Sequence, residues 1–126
     1  MLGARDSIAT IAVKNLEKAR VFYEEKLGLK PARELPEGIS YRTGGTTLLV
    51  YASRHAGTNQ ATCVTWSIDD VERVAQELKA RGVTFEHYDL PGTTMDGDVH
   101  VEGGRKAVWF KDPDGNILSV VNELME

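Results

Sequence analysis

The 126-residue sequence predicts an α+β fold built from two tandem βαβββ modules. Three observations carry that prediction. Two helix-like segments each begin at a capping residue and end at a glycine. Each is preceded by one strand-like run and followed by several more. The chain closes on a strand–turn–strand segment running from Trp109 to Val121.

Ser7 to Val13 alternates apolar and small residues as a strand. Asn15 follows as an N-cap, its side chain able to accept from a free N–H of the first helical turn. Leu16, Ala19, Tyr23 and Leu27 then recur at helical spacing, with Phe22 beside them. Gly28 sits where a helix C-cap belongs, and Pro31 forbids continuation. Lys30–Glu34, Ile39–Thr43 and Thr46–Ala52 are three short strands, with Pro36-Glu37-Gly38 and Gly44-Gly45 as the turns between them. The polar run from Arg54 to Gln60 reads as a linker, after which the order restarts. Ala61 to Ile68 is a strand, Asp69-Asp70 a cap, and Val71, Val74, Ala75 and Leu78 a helical stripe closed by Gly82. Val83–Tyr88 is a further strand. A longer loop from Asp89 to about Asp98 precedes strands near Val99–Val101, Lys106–Phe110 and Asn116–Asn122.

Overlaying the halves aligns Val13-Lys14-Asn15-Leu16-Glu17-Lys18 with Ile68-Asp69-Asp70-Val71-Glu72-Arg73. Lys26-Leu27-Gly28-Leu29 falls opposite Ala80-Arg81-Gly82-Val83. An internal repeat of a whole supersecondary unit is stronger evidence for a fold than either half alone. It places module one at about residues 5–55 and module two at about 61–124 of a single domain spanning 1–126.

Composition excludes several classes of function. A formal net charge of −4 with mixed signs leaves no basic face for nucleic acid. No apolar run approaches the roughly 20 residues needed to cross a bilayer, and the first residues lack the basic and apolar regions of a signal peptide. The single cysteine, Cys63, cannot form an intramolecular disulfide, which fits a reducing cytosol and a cytoplasmic location.

In the closing segment, Lys111-Asp112-Pro113-Asp114-Gly115-Asn116 joins two apolar strands through a turn. Pro113 sets φ, the aspartates bond to nearby backbone, and Gly115 accepts positive φ. That wording resembles the signature ending a module of the vicinal-oxygen-chelate superfamily, the glyoxalase, bleomycin-resistance and extradiol-dioxygenase relatives. Val13-Lys14-Asn15-Leu16-Glu17-Lys18-Ala19 with Phe22-Tyr23 and Leu27-Gly28-Leu29 resembles the family's module opening. The resemblance implies a curved mixed sheet around a cavity with the helices outside, a small-molecule ligand, and commonly a homodimer. It also implies a divalent cation held by His and Glu side chains in the metal-dependent members. Carried over position by position, that ligand set falls on Ile8, Leu49, Cys63 and Ser119. None is His or a carboxylate, so neither metal nor other cofactor is expected.

Strand alternation extends this face. If Ile8, Leu49, Cys63 and Ser119 point inward, so do Thr10, Ala12, Thr47, Tyr51, Thr65, Ser67, Ile117 and Val121. The opposite faces, such as Ile11-Val13 and Leu118-Val120, are more uniformly apolar and meet the helices. A mixture of small, hydroxyl-bearing and apolar residues suits a ligand pocket, although it also suits a plain sheet core. Trp109, with Arg105 and Ala107 on its strand face, offers an aromatic wall for a planar ligand, whereas Trp66 reads as core. His55 and His87 read as surface residues. His100 is either an exposed strand histidine or a ligand contact or general base, below a loop able to act as a flap. Asp96, Asp98 and His100 alternate as a metal set would, or as a solvated loop would. Cys63 reads as a buried, inert strand residue.

Two functional readings follow. One is a metal-free protein that binds or sequesters a small, partly aromatic molecule through Ile8, Thr10, Leu49, Tyr51, Cys63, Thr65, His100, Trp109 and Ser119. The other is a lyase, isomerase or dioxygenase of the same superfamily using relocated ligands (His100, Asp96, Asp98) or metal-free acid–base chemistry.

Overall fold

The computed structural model of the chain describes residues 1–122, so the expected end of module two at residue 124 lies outside the described residues. The fold separates into two compact units, Met1–Asn59 and Gln60–Glu126. Among the described residues, ten strands form two mixed sheets, one in each unit, with one main helix apiece.

In the first unit, a 3₁₀ turn at Leu2–Ala4 precedes β1 (Ala9–Val13). Helix α1 begins at Leu16, capped as its sequence demands: the Asn15 side chain accepts the Lys18 N–H at 3.1 Å. From Val21 to Lys26 it continues as a π-helical turn before Gly28, at φ 74°, ends it. The strands β2 (Lys30–Leu35), β3 (Gly38–Thr43) and β4 (Thr46–Ala52) follow, and the sheet order is β1-β4-β3-β2, with β1 parallel to β4 and the rest antiparallel. Ile11, Val13, Ile39, Tyr41, Leu48 and Val50 are buried on one face with Ala19, Phe22 and Tyr23 of the helix. Tyr23 and Tyr41 stack with ring centroids 6.2 Å apart. Period-two alternation leaves Thr10, Leu49 and Tyr51 on the other face.

In the second unit, β5 (Thr62–Ser67) leads to α2 (Val71–Ala80), capped by the Asp70 carboxylate on the Arg73 N–H at 3.0 Å. The remaining strands are β6 (Phe85–Glu86), β7 (Thr94–Asp96), β8 (Val99–Glu102), β9 (Arg105–Lys111) and β10 (Ile117–Val121). The order is β5-β10-β9-β8-β7, with β5 parallel to β10, and β6 also pairs with β9. One edge of β9 is therefore shared, its first half by β8 and its last by β6. Helix α2 contacts β8 and β9, and Val71, Ala75 and Leu78 bury their side chains.

Four expectations change. The first strand begins at Ala9, so Ile8 lies ahead of the paired ladder. The strand expected over Val83–Tyr88 shortens to Phe85–Glu86. The loop expected over Asp89–Asp98 contains β7, which pairs antiparallel with β8 through a tight turn at Gly97 (φ 62°). A paired hairpin is not a free flap. Finally, Cys63 is exposed rather than buried, because it is the extra residue of a bulge. Thr62 pairs with Ile117 and Val64 with Leu118, leaving Cys63 outside the register.

Candidate functional site

Both units carry a depression on the sheet face away from the helix, and the expected residues divide between them. In the first, Thr10, Leu49 and Tyr51 line a groove of about 540 Å³ together with Leu35, Pro36, Glu37 and Gly38. Ile8 is 55% exposed and does not line it. Gly38 permits the groove's floor: a Cβ there would sit 2.8 Å from the Val50 carbonyl oxygen.

In the second unit, His100 and Trp109 line a cavity of about 230 Å³ with Leu90, Thr93, Ala107 and Val121, and with Glu102, Arg105 and Lys106. Register explains the gathering. Ser119 lies opposite Trp109, Val121 opposite Ala107, and Ala107 opposite His100, so all five project to one face of β10, β9 and β8. Trp109 and His100 meet edge to face with centroids 4.8 Å apart, and Tyr88 completes an aromatic cluster 5.5 Å from Trp109 and 6.0 Å from His100. The Trp109 indole N–H donates to the Thr62 hydroxyl at 3.2 Å. Ser119 is buried and donates to the Thr65 hydroxyl at 3.1 Å. Ser119, Thr65 and Cys63 stay outside the cavity lining.

His100 is 3% exposed, so the alternative of an exposed strand histidine falls. Its Nε2 accepts the Tyr88 backbone N–H at 2.9 Å. Burial holds its pKa below the ordinary imidazole value, opposed by the neighbouring Ala107 backbone. The ring is thus neutral, and with Nε2 accepting, its proton resides on Nδ1. A base whose free lone pair is already engaged is poorly placed to take a substrate proton. The Asp96-Asp98-His100 set does not assemble. Asp98 binds His87 Nε2 at 2.7 Å and Lys79 Nζ at 3.3 Å, whereas His100 faces the aromatic cluster. His87 bonded to a carboxylate pulls the Asp98 pKa below the usual carboxylate range.

Cys63 donates its thiol to the Ile117 carbonyl at 3.4 Å. Partial desolvation of the sulfur, with the Asp112 charge nearby, raises the thiol pKa and disfavours the nucleophilic thiolate.

The family model described as Glyoxalase/Bleomycin resistance protein/Dioxygenase superfamily matches residues 6–120. The chain belongs to this superfamily. Among solved structures similar to it, a glyoxalase family protein from Enterococcus faecalis is 21% identical with a TM-score of 0.74, covering 97% of this chain and 100% of that one. A bleomycin resistance determinant encoded on the transposon Tn5 is 19% identical with a TM-score of 0.72, covering 95% and 99%. The fosfomycin resistance protein FosX from Listeria monocytogenes is 16% identical with a TM-score of 0.72, covering 96% and 94%. No curated protein matches. At these identities the structural likeness shows a shared fold.

The superfamily's metal-dependent members raise the question of a cation, and the residues present do not suit one. Ile8 and Leu49 are hydrocarbon, the Ser119 hydroxyl is buried against Thr65, and Cys63 is a lone thiol of raised pKa bonded to a carbonyl. Hard or borderline divalent ions need oxygen or imidazole donors in number. Among the described residues, no three His, Cys, Asp or Glu side chains lie close enough to hold an ion, and no helix is long and apolar enough to cross a membrane.

Sequence reasoning missed Tyr88, Thr62, Leu90 and Thr93 around this site. Thr62 was hidden by the bulge at Cys63, which breaks simple alternation. Leu90 and Thr93 sit in the connection to β7, which carries no periodic signal.

Proposed function

We propose that the chain is a metal-independent binding protein of the glyoxalase/bleomycin-resistance type, working as one cytoplasmic domain within a homodimer and sequestering a small, partly aromatic molecule. The observation that carries this reading is the wall of Trp109, His100 and Tyr88 beside a cavity large enough for a fused-ring group. An indole bounded both by Leu90, Ala107 and Val121 and by the charged Glu102, Arg105 and Lys106 receives a planar ring through offset or edge contacts. In the first unit, Thr10, Leu49 and Tyr51 line an apolar groove that can receive an apolar group on its own account. The similarity to a bleomycin resistance determinant agrees with this reading, as does the mismatch between the superfamily's ligand positions and metal chemistry. The engaged Nε2 of His100 disfavours the acid–base alternative.

A thermal-shift panel of planar aromatic compounds tests it, with and without a chelator, on wild type and Trp109→Ala. A ligand at about 100 times its Kd stabilises the folded state by about 2.7 kcal/mol. The expected result is a shift that the chelator leaves unchanged and the variant loses. Metal counting after incubation with Zn²⁺, Mn²⁺, Ni²⁺ and Fe²⁺ completes the test. One tightly held ion per chain would overturn the reading, and light scattering reports the dimer.

A further inference from the structure

Two buried side-chain polar atoms lack a hydrogen-bond partner of ordinary geometry among the described residues: the Tyr88 hydroxyl and His100 Nδ1. Both belong to one cluster. The two rings lie 6.0 Å apart, and each also contacts Trp109 edge to face. Folded proteins seldom leave such atoms unsatisfied, and two together point to a missing partner. Because Nε2 is fixed as an acceptor by the Tyr88 N–H at 2.9 Å, the neutral His100 ring carries a donor at Nδ1. A tyrosine hydroxyl can donate as well. Two neighbouring donors call for an acceptor.

We propose that the second unit's cavity selects planar ligands carrying a hydrogen-bond acceptor, a ring carbonyl or ring nitrogen, on the edge directed to His100 and Tyr88 while Trp109 covers the ring. This inference rests on the reading of the cavity as a ligand site and adds the polarity of the ligand to it. At the rim of the cavity Arg105 and Glu102 form a half-exposed ion pair at 4.0 Å, and such a pair is weakly held and readily displaced. A ligand presenting only an N–H to the same edge could donate to the Tyr88 oxygen but would meet the His100 Nδ1–H donor against donor and leave that donor unsatisfied.

Coumarin and indole provide the comparison. Both are bicyclic and planar; coumarin offers a carbonyl acceptor and no donor, indole an N–H donor and no in-plane acceptor. Dissociation constants measured by titration calorimetry at pH 7.5 are expected to favour coumarin by about tenfold or more, the size of one well-made buried hydrogen bond. Tyr88→Phe, which removes only the hydroxyl, should shrink that ratio. Imidazole ¹⁵N spectra should show His100 protonated at Nδ1 in the free protein, with the Nδ1 resonance moving on coumarin addition and not on indole addition. Equal affinity for the two probes would overturn the acceptor inference while leaving the cavity reading intact. A coumarin preference that survives in Tyr88→Phe with an unmoved His100 resonance would also overturn it, and would mean that trapped water satisfies these atoms. No binding of either probe at millimolar concentration, nor of any planar compound in the panel, would remove the cavity reading and this inference with it.

Discussion

Replacing Asp112 with alanine tests why the turn closing the chain has its particular wording. Asp112 is 5% exposed, and its Oδ1 accepts the backbone N–H groups of Asp114 and Asn116, each at 2.9 Å. Its Oδ2 accepts from Asn116 Nδ2 at 2.8 Å. The main chain closes the same loop, Asp112 N–H to the Asn116 carbonyl and Gly115 N–H to the Asp112 carbonyl, both at 3.0 Å. The two bonds to Asn116 are buried, and a buried bond to a charged acceptor contributes about 1.5–3 kcal/mol. The bond to Asp114 is only partly buried, so water replaces it in the variant. Relief of the carboxylate's own desolvation offsets part of the loss. The net expectation for Asp112→Ala is a destabilisation of about 3 kcal/mol, a large share of a total stability of about 5–15 kcal/mol. Asp112→Asn keeps an acceptor for the backbone donors but opposes an amide to Asn116, and should lose about half as much. Urea unfolding, compared at an unchanged m value, measures both. A loss below about 1 kcal/mol for Asp112→Ala would refute the argument that this carboxylate holds the turn. The turn matters to the site because it pins Lys111 opposite Ile117 and hence Trp109 opposite Ser119. A one-residue slip would carry Ser119 and Val121 to the helix side.

Further outcomes follow from the same structure. Gly38→Ala places a Cβ 2.8 Å from the Val50 carbonyl oxygen and 3.3 Å from Tyr51 Cβ, so urea unfolding should show a loss of about 1–2 kcal/mol after the smaller gain from a stiffer unfolded chain. Stability should fall as pH drops. His100 has a depressed pKa in the fold, so the unfolded chain takes its proton near pH ~6.5 while the folded chain resists. The stabilisation is therefore full above that value and lost below it. His100→Gln, which can still accept the Tyr88 N–H, should flatten the urea midpoint between pH 7.5 and pH 5. The depressed Asp98 pKa adds a second loss, beginning only as pH falls through the ordinary carboxylate value of about 3.9, and Asp98→Asn should remove it. Cys63, although exposed, should react with iodoacetamide more slowly than free cysteine at pH 7.5, because its raised pKa lowers the thiolate fraction.

The repeat made the fold legible. Asn15 and Asp70 cap the helices as their spacing implies, Gly28 and Gly82 end them, and the strands of the first unit fall within a residue or two of their expected limits. The site was legible one strand at a time. Alternation put Trp109 beside Arg105 and Ala107, and Thr10 beside Leu49 and Tyr51, because a period of two is local information. That His100 meets Trp109 depends on β8 pairing with β9, a register set by the Gly103-Gly104 turn between them. Nothing in the residues around His100 reports that packing. β7 escaped notice because its three residues, Thr94, Met95 and Asp96, are too few to show a period, although the Asp96-Gly97 pair is a hairpin signal. The bulge at Cys63 is likewise silent, since an extra residue in a strand changes facing without changing composition.

The π-helical turn at Val21–Lys26 reconciles two helical segments of unequal length. From cap to closing glycine the first unit, Asn15 to Gly28, is one residue longer than the second, Asp70 to Gly82. A single insertion into a regular α-helix would rotate everything after it by about 100° and turn Leu27 and the chain leading into β2 off their path. The wide turn absorbs the extra residue locally, with the Leu27 N–H reaching back five residues to the Phe22 carbonyl at 3.0 Å. Both units thus keep the same kind of capped start and the same closing glycine despite unequal lengths. The wide turn lets a helix carry one residue more without rebuilding the sheet beneath it.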